Sequence, residues 1–459
     1  MAAVQLADLR GKRVAVWGTG REGTAAVKAI APLGAAELVA VQDKPTFLAT
    51  DWDSARAPLR TGDDAHAALL RADVVVRSPV IGESHPWMIE LRAKGTTVTG
   101  GTALWMAEHA DRAIGITGSK GKSTTSSLVS HLLTALGRPN VLGGNIGIAV
   151  LDLPPAELYV LELSMYQCAD LRHSPAVAAV TSLFPEHLDW TRDGQVDQYY
   201  AHKLNLVDHG PRHVVYNANN ERLRAEMDAR PGLPLLATGT PSSFHVAGDQ
   251  VRLGEQLLFP RTALPLVGRH NGDNLCVALG VLRSAGVDCV AERAVIAAAL
   301  AEFRPLDHRL TPIEDPSGIT FVDDSISTIP QSTIHAIEAY AHRPLTVILG
   351  GEDRGIDYAP LRDFFAGQRV TATLIGVPDS GPRILDTVKD LPTLTTHLAD
   401  DLVAAVHLSR ELTPPGGVVL LSPAAPSYGR FNNFEHRSRV FREAIEATRT
   451  GGASSGPPS

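Results

Sequence analysis

The chain has only three cysteines, Cys168, Cys276 and Cys289, an odd number without metal-ligand spacing. A disulfide framework and a cysteine-based metal site are therefore not expected, whereas buried free thiols in a reducing compartment are. No run approaches the roughly 18–20 consecutive apolar residues needed to span a bilayer. The opening stretch MAAVQLADLRGKRVAVWG lacks a long apolar segment behind a basic start, so no signal peptide is expected. Positive charge is also scarce. With 42 Lys and Arg against 50 Asp and Glu, the net charge of −8 argues against a general nucleic-acid or anionic-membrane partner. A local basic pocket for a phosphorylated substrate remains compatible with it. No internal repeat is visible, and a cytoplasmic location is expected. The closing residues 451–459, GGASSGPPS, have nothing to bury and read as a disordered tail.

At 459 residues, 44% hydrophobic and 20% charged, the chain reads as globular and too long for one core. Short apolar strands alternate with helix-length amphipathic segments, which predicts α/β domains with largely parallel sheets. The strands RVAVWG, ELVAVQD and ADVVVRSP open a first module, residues 1–110. A second, 111–309, begins at RAIGITGSKGKS. A third, 310–450, includes GITFVDDS, LTVILGG, TATLIGV and GVVLLSP.

In the first module, Gly18-Thr19-Gly20-Arg21-Glu22-Gly23 follows a strand directly, and Asp43 ends the next strand about 20 residues later. Such glycines admit a diphosphate to a helix N-terminus, and the acid can bind a ribose. The pattern promises a diphosphate seat, which a nicotinamide dinucleotide or a UDP group would both satisfy. Arg21 and Ser78 are candidates to line it.

The second module carries the strongest signal. A short apolar strand runs into Gly118-Ser119-Lys120-Gly121-Lys122-Ser123-Thr124, and a helix follows with Leu128, Val129, Leu132, Leu133 and Leu136 on one face. Glycines there let backbone N–H groups wrap phosphate oxygens, Lys122 neutralises phosphate charge, and the Ser123 hydroxyl can ligate Mg²⁺. The full G-x-x-x-x-G-K-[ST] pattern fails at Ile116. Glu162 ends the strand YVLE, where α/β ligands collect, and is placed to hold Mg²⁺. TSLFPEHLDW offers Glu186, His187 and Asp189 in a loop after a further strand. Lys203, in QYYAHKLNLV, reads on its own as a surface lysine. Asn271 and Asn274 open a helix where they can hydrogen-bond an adenine or ribose.

These segments occur in one order: GxxGKS, GGNIG, ELSMYQ, PEHLDW, HKLNL, GRHNGDN, FRPLDHR, DDS and LLSPAAPS. The series resembles the Mur ligase family, ATP-dependent enzymes that extend the peptide of the peptidoglycan precursor, and within it the type that adds glutamate to UDP-N-acetylmuramoyl-L-alanine. The resemblance spans nearly the whole chain. It implies a three-domain α/β architecture: a Rossmann-like domain for UDP, a central P-loop ATPase domain, and a Rossmann-like C-terminal domain that brings the amino acid. It favours UDP over NAD at the first glycine turn.

By the same resemblance, Lys122 and Ser123 match phosphate-loop positions, and Glu162 and His187 match magnesium ligands. Lys203 matches the lysine that this family carries as a carbamate, an anion able to ligate a second Mg²⁺. Asn145, Ser164 and Gln167 match positions around the uridylated substrate, while Asn271, Arg309 and Asp324 match ATP contacts. Catalysis is expected from Lys122, Glu162, His187 and Lys203 without a protein nucleophile, and the protein is expected to act as a monomer. The third module departs from the pattern. Where enzymes adding D-glutamate read Asp-Ser-Lys-Ala-Thr-Asn, this chain reads Asp324-Ser325-Ile326-Ser327-Thr328-Ile329. Isoleucine cannot replace an ammonium facing a carboxylate. Ser327, Thr328, Arg354, Ser427 and Phe434 are the expected glutamate contacts. The run resembles the branch that adds L-glutamate, with a D-glutamate enzyme of altered pocket as the alternative.

Overall fold

The computed structural model describes residues 4–43, 55–186, 190, 195–266, 268–304, 310–353, 356–368, 370–427 and 429–450. The chain divides into two compact units, Met1–Pro265 with Gly272–Phe303, and Leu266–Asn271 with Arg304–Ser459.

The first unit opens with a five-stranded parallel sheet of β1 (Arg13–Trp17), β2 (Glu37–Gln42), β3 (Leu59–Thr61), β4 (Val74–Arg77) and β5 (Thr97–Gly100), in the order β3-β2-β1-β4-β5. Helices cover both faces, which is why β1, β2 and β4 read as apolar runs. Alternation along each strand sorts the side chains. Val14, Val16, Val74 and Val76 pack with Val27 and Ile30 on one face, and Ala15, Trp17, Val39 and Val75 with Leu69, Met88 and Leu91 on the other.

A second parallel sheet follows, built from β6 (Ala113–Thr117), β7 (Val141–Gly144), β8 (Tyr159–Glu162), β9 (Val177–Val180), β10 (His213–Asn217) and β11 (Leu235–Thr238), in the order β11-β10-β9-β6-β8-β7. Its core takes Trp105 and Met106 from the helix Gly101–His109 of the first module, so an apolar seam joins the two modules. A small antiparallel sheet comes next, β12 (Phe244–Ala247), β13 (Gln250–Leu253) and β14 (Gln256–Pro260). It lies outside the expectation of largely parallel sheets. Its two-residue turns, Gly248-Asp249 and Gly254-Glu255, use glycines at φ 57°.

The second unit holds β15 (Thr311–Glu314), β16 (Thr320–Asp323), β17 (Leu345–Leu349), β18 (Ala372–Gly376), β19 (Leu394–Leu398) and β20 (Val418–Leu421), in the order β15-β16-β20-β17-β18-β19. Only β15 runs antiparallel to its neighbour. Val347, Leu349 and Leu420 face one layer of helices, and Phe321, Ile348 and Leu421 the other. All three cysteines are free and buried, as their scarcity suggests. No helix among the described residues is long and apolar enough to cross a membrane.

Candidate active site

The phosphate loop lies between β6 and the helix Lys122–Ala135, at the carboxyl end of the sheet. Gly118 has φ 146°, and a Cβ there would sit 2.0 Å from Thr181 Oγ1; Gly121 has φ 86°, and its Cβ would meet Asn274 Oδ1 at 2.2 Å. Both positions need glycine on conformation and on space. The same contact places Asn274 against the loop. Asn271, in the first turn of the helix Arg269–Ser284, is likewise buried.

The loop is held from below. Ser119 Oγ donates to Phe184 O at 2.9 Å and lies 2.8 Å from Tyr199 Oη, a partner that the sequence did not single out. Lys120 N donates to Ser182 Oγ at 2.9 Å, and Lys120 Nζ pairs with Glu186 at 3.1 Å. Lys122 Nζ turns into the loop, donating to Gly118 O at 2.8 Å and Ser119 O at 3.1 Å. Ser123 and Thr124, at the start of the helix, are buried.

Lys203 is the largest departure from a residue-by-residue reading. It is buried at 2% exposure, on the helix Val196–Leu204, and is no surface lysine. Its Nζ donates to Gly118 O at 3.1 Å, the carbonyl that Lys122 also uses. Burial first, and the neighbouring Lys122 charge second, bring its pKa down to about 7.

Glu162 ends β8 as expected and is 1% exposed. Asn145 Nδ2 donates to its Oε1 at 2.7 Å, while Oε2 is buried with no hydrogen-bond partner. An unpaired carboxylate oxygen at that depth is costly unless something else neutralises it, and a divalent cation is such a group. Among the described residues, no three His, Cys, Asp or Glu side chains gather as a metal-binding set. His187 lies outside the described residues, as do Asp189, Arg309, Arg354 and the tail 451–459.

The first glycine turn is equally tight. Gly18 has φ 107°, and a Cβ there would meet Ser78 Oγ at 2.2 Å, so Ser78 does line the turn. Thr19 is buried, and Gly20 caps the helix Arg21–Ile30. Arg21 reaches the second module, donating to Gly147 O at 2.8 Å and Gly144 O at 3.2 Å. Asp43 uses one oxygen for Trp17 Nε1 at 2.8 Å and the other for His85 Nε2 at 2.5 Å, so both are already engaged within the fold. Ser164 and Gln167 form a reciprocal cap at the start of the helix Met165–Cys168. Gln167 Nε2 also reaches Glu22 Oε1 at 3.4 Å.

In the second unit, Asp324 Oδ2 accepts from Ser327 Oγ at 2.5 Å and Ser422 Oγ at 2.7 Å. Ser325 Oγ donates to Phe434 O at 2.7 Å, tying the loop after β16 to the helix Phe434–Thr450. Arg437 is fully buried and donates to Ser325 O at 2.7 Å and Ala425 O at 3.2 Å. It therefore joins the 324–330 loop to the segment holding Ser427, which is buried. Ile326 and Thr328 are half-buried. Ala424 adopts φ 56°, a left-handed conformation costly for alanine, where the two loops meet.

Fold and site together define an α/β protein in which two lysines, the fully buried Lys203 and the partly buried Lys122, converge on one glycine-rich loop. The family model described as the Mur ligase middle domain matches residues 116–282. The chain is 58% identical to a UDP-N-acetylmuramoyl-L-alanine–L-glutamate ligase of a Micromonospora species, over 97% of this chain and 99% of that one. A protein of the same name from Salinispora tropica is also 58% identical, covering 97% of this chain and all of that one. Among solved structures, MurF ligase from Thermotoga maritima in complex with ADP shares the fold, with a TM-score of 0.55, 16% identity and 97% of each chain covered. The chain belongs to the Mur ligase family.

Proposed function

We propose that this chain is an ATP-dependent ligase of peptidoglycan-precursor synthesis, joining the amine of L-glutamate to the alanyl carboxylate of UDP-N-acetylmuramoyl-L-alanine. The observation that carries the reading is 58% identity over 97% of the chain to relatives named for that reaction. In it, residues 1–110 seat the UDP moiety, 111–309 bind ATP, and 310–450 bring glutamate.

The alanyl carboxylate attacks the γ-phosphorus of ATP; the bond to the β-phosphate oxygen breaks, giving an acyl phosphate and ADP. The neutral amine of glutamate then attacks the acyl carbon, its surplus proton is lost, and phosphate leaves. No protein nucleophile is needed, and the work is positioning and charge neutralisation. Lys122 and the loop amides take the phosphates. Glu162 Oε2, with Ser123 and His187 as the further expected ligands, would hold Mg²⁺, which supplies charge neutralisation on the transferred phosphoryl group. Lys203 suits the carbamate this family carries. Its depressed pKa makes neutral amine available to CO₂, and the anion formed would relieve its repulsion with Lys122 and add a second ligand position.

For the amino acid, Ile326 in place of a lysine supports a pocket built differently from that for D-glutamate. Ser327, Thr328, Arg354, Ser427 and Phe434 are its candidate contacts; of these, Ser327 shares Asp324 Oδ2 as acceptor with Ser422. The test is coupled turnover: ADP and phosphate should accumulate only when UDP-N-acetylmuramoyl-L-alanine and glutamate are both present. Equal ATP hydrolysis without the acceptor amine would reject the ligase reading.

A further inference from the structure

A buried charge cluster sits on the seam between the first two modules, and no step above uses it. Arg77, the last residue of β4, has a side chain only 1% exposed. Its guanidinium grips Asp170 with a fork, Nε to Oδ2 at 2.7 Å and Nη2 to Oδ1 at 2.8 Å. It also pairs with Glu83 at 2.9 Å and donates to Ile81 O at 2.8 Å. Arg92 closes the set, 3.2 Å from Glu83 and 3.8 Å from Asp170. Desolvation pulls the Arg77 pKa down, but Asp170 and Glu83 outweigh it and hold the value above normal.

The face of Trp190 lies over this guanidinium, 4.8 Å from ring centroid to Cζ. Trp190 is 4% exposed, and its Nε1 donates to Pro79 O at 3.0 Å. Tyr166 and His202 flank it at 5.4 Å, the latter edge-on. A Cβ on Gly82 would stand 3.1 Å from Trp190 O, so the 79–82 segment and the tryptophan interlock.

Both ends of the cluster adjoin candidate-site residues along the chain. Ser78, directly after Arg77, fills the space against Gly18 at the diphosphate turn. At the other end, Trp190 follows Glu186 by four residues and the expected metal ligand His187 by three. Glu186 is the residue that holds Lys120 of the phosphate loop. His202 precedes Lys203. A seam that needed only adhesion would be served as well by apolar packing, because buried ion pairs add little net stability. A two-pronged Arg–Asp fork instead fixes distance and angle.

We propose that Arg77 and Trp190 are positioning residues that hold Glu186, the partner of Lys120 in the phosphate loop, in register with the diphosphate turn. The metal-bound nucleotide and the acceptor carboxylate are thereby set at one distance. This rests on the phosphate-loop and metal reading given above. It gives Arg77 and Trp190 a role through their neighbours and assigns them no contact of their own with substrate or metal.

The test is Mn²⁺ binding in the presence of ADP, read by electron paramagnetic resonance, alongside calorimetric titration of the full chain with UDP-N-acetylmuramoyl-L-alanine. Trp190→Leu should weaken Mn²⁺ binding by about 10-fold, the scale of lost outer-sphere support, while leaving affinity for the uridylated substrate within about twofold. Trp190→Phe, which keeps an aromatic face over Arg77, should recover most of the loss. Parent-like Mn²⁺ binding in Trp190→Leu, with only a lowered melting temperature, would overturn the proposal. Should that variant not fold, Arg77→Lys keeps the charge and loses the fork. The same 10-fold loss is then expected, and unchanged Mn²⁺ binding contradicts the proposal. If the parent itself takes up no Mn²⁺ with ADP, the phosphate-loop reading fails first, and the inference falls with it.

Discussion

Lys203 and Lys122 share one carbonyl, that of Gly118, and the proposed carbamate rests on this pairing of single residues. Two ammonium groups in a desolvated pocket repel, and the deeper one yields. The sign of its pH dependence follows. With a folded pKa of about 7 against an ordinary 10.5, unmodified Lys203 binds a proton less readily in the fold than in the unfolded chain. Its destabilising charge is therefore fullest below pH 7, and the penalty is relieved as pH rises from 7 towards 10.5. Carbamate formation needs the neutral amine, so occupancy should fall as pH drops through 7. Carbon-13 NMR with labelled bicarbonate should show a carbamate signal at pH 8 that fades by pH 6 and is absent from Lys203→Arg. No such signal in the parent at pH 8 would refute the assignment.

At the scale of elements, the parallel strands were legible because burial on both faces leaves apolar runs such as VVV in β4 and VIL in β17. The glycine turns were legible because Gly18, Gly118 and Gly121 combine positive φ with space that no Cβ can share. The small antiparallel sheet was not, since its strands are short and half-exposed and only the glycines at its turns announce it. Edge strand β19 is similarly polar and partly exposed. The burial of Lys203, a residue singled out only by the family resemblance, and the Arg77 cluster escaped a local reading for a different reason: their partners, Gly118 and Asp170, come from distant segments that local pattern cannot supply. The clearest clue was Arg77 itself, a charge closing an otherwise apolar strand.

The edge of the second unit's sheet carries a further element-scale consequence. Asp315, just after β15, is held by Arg410 through two contacts of 2.7 and 3.0 Å and by Arg449 at 2.8 Å. Its side chain is 1% exposed, and these hydrogen bonds hold its pKa far below the ordinary 3.8. That stabilisation is complete above the unfolded value and is lost progressively as pH falls from 3.8 towards the much lower folded one. Asp315→Asn leaves two partly exposed guanidiniums facing a neutral amide. It should cost about 2 kcal/mol, less than a fully buried pair because solvent screens both arginines. Urea unfolding at pH 7 checks this, and an unchanged midpoint would show that the arginines are satisfied elsewhere.

For the whole molecule, the order of motifs carried more than any one of them. The first glycine turn alone admits a dinucleotide or a UDP group, and the phosphate loop alone admits any nucleotide. Only their succession, followed by Asp324 and its serines, defines a ligase with three substrates. Arg309, Arg354 and His187 complete that reading by sequence position, outside the described residues. In the proposed reading, the choice of glutamate enantiomer rests on the loop after β16, where apolar Ile326 stands at the position expected to carry a cation in a D-glutamate pocket. The measurement that tests the account most directly is product formation from UDP-N-acetylmuramoyl-L-alanine, ATP and Mg²⁺ with each glutamate enantiomer supplied separately. The account predicts a UDP-muramoyl-dipeptide, with matching ADP and phosphate, from L-glutamate and little from D-glutamate. Efficient turnover with D-glutamate alone would contradict it.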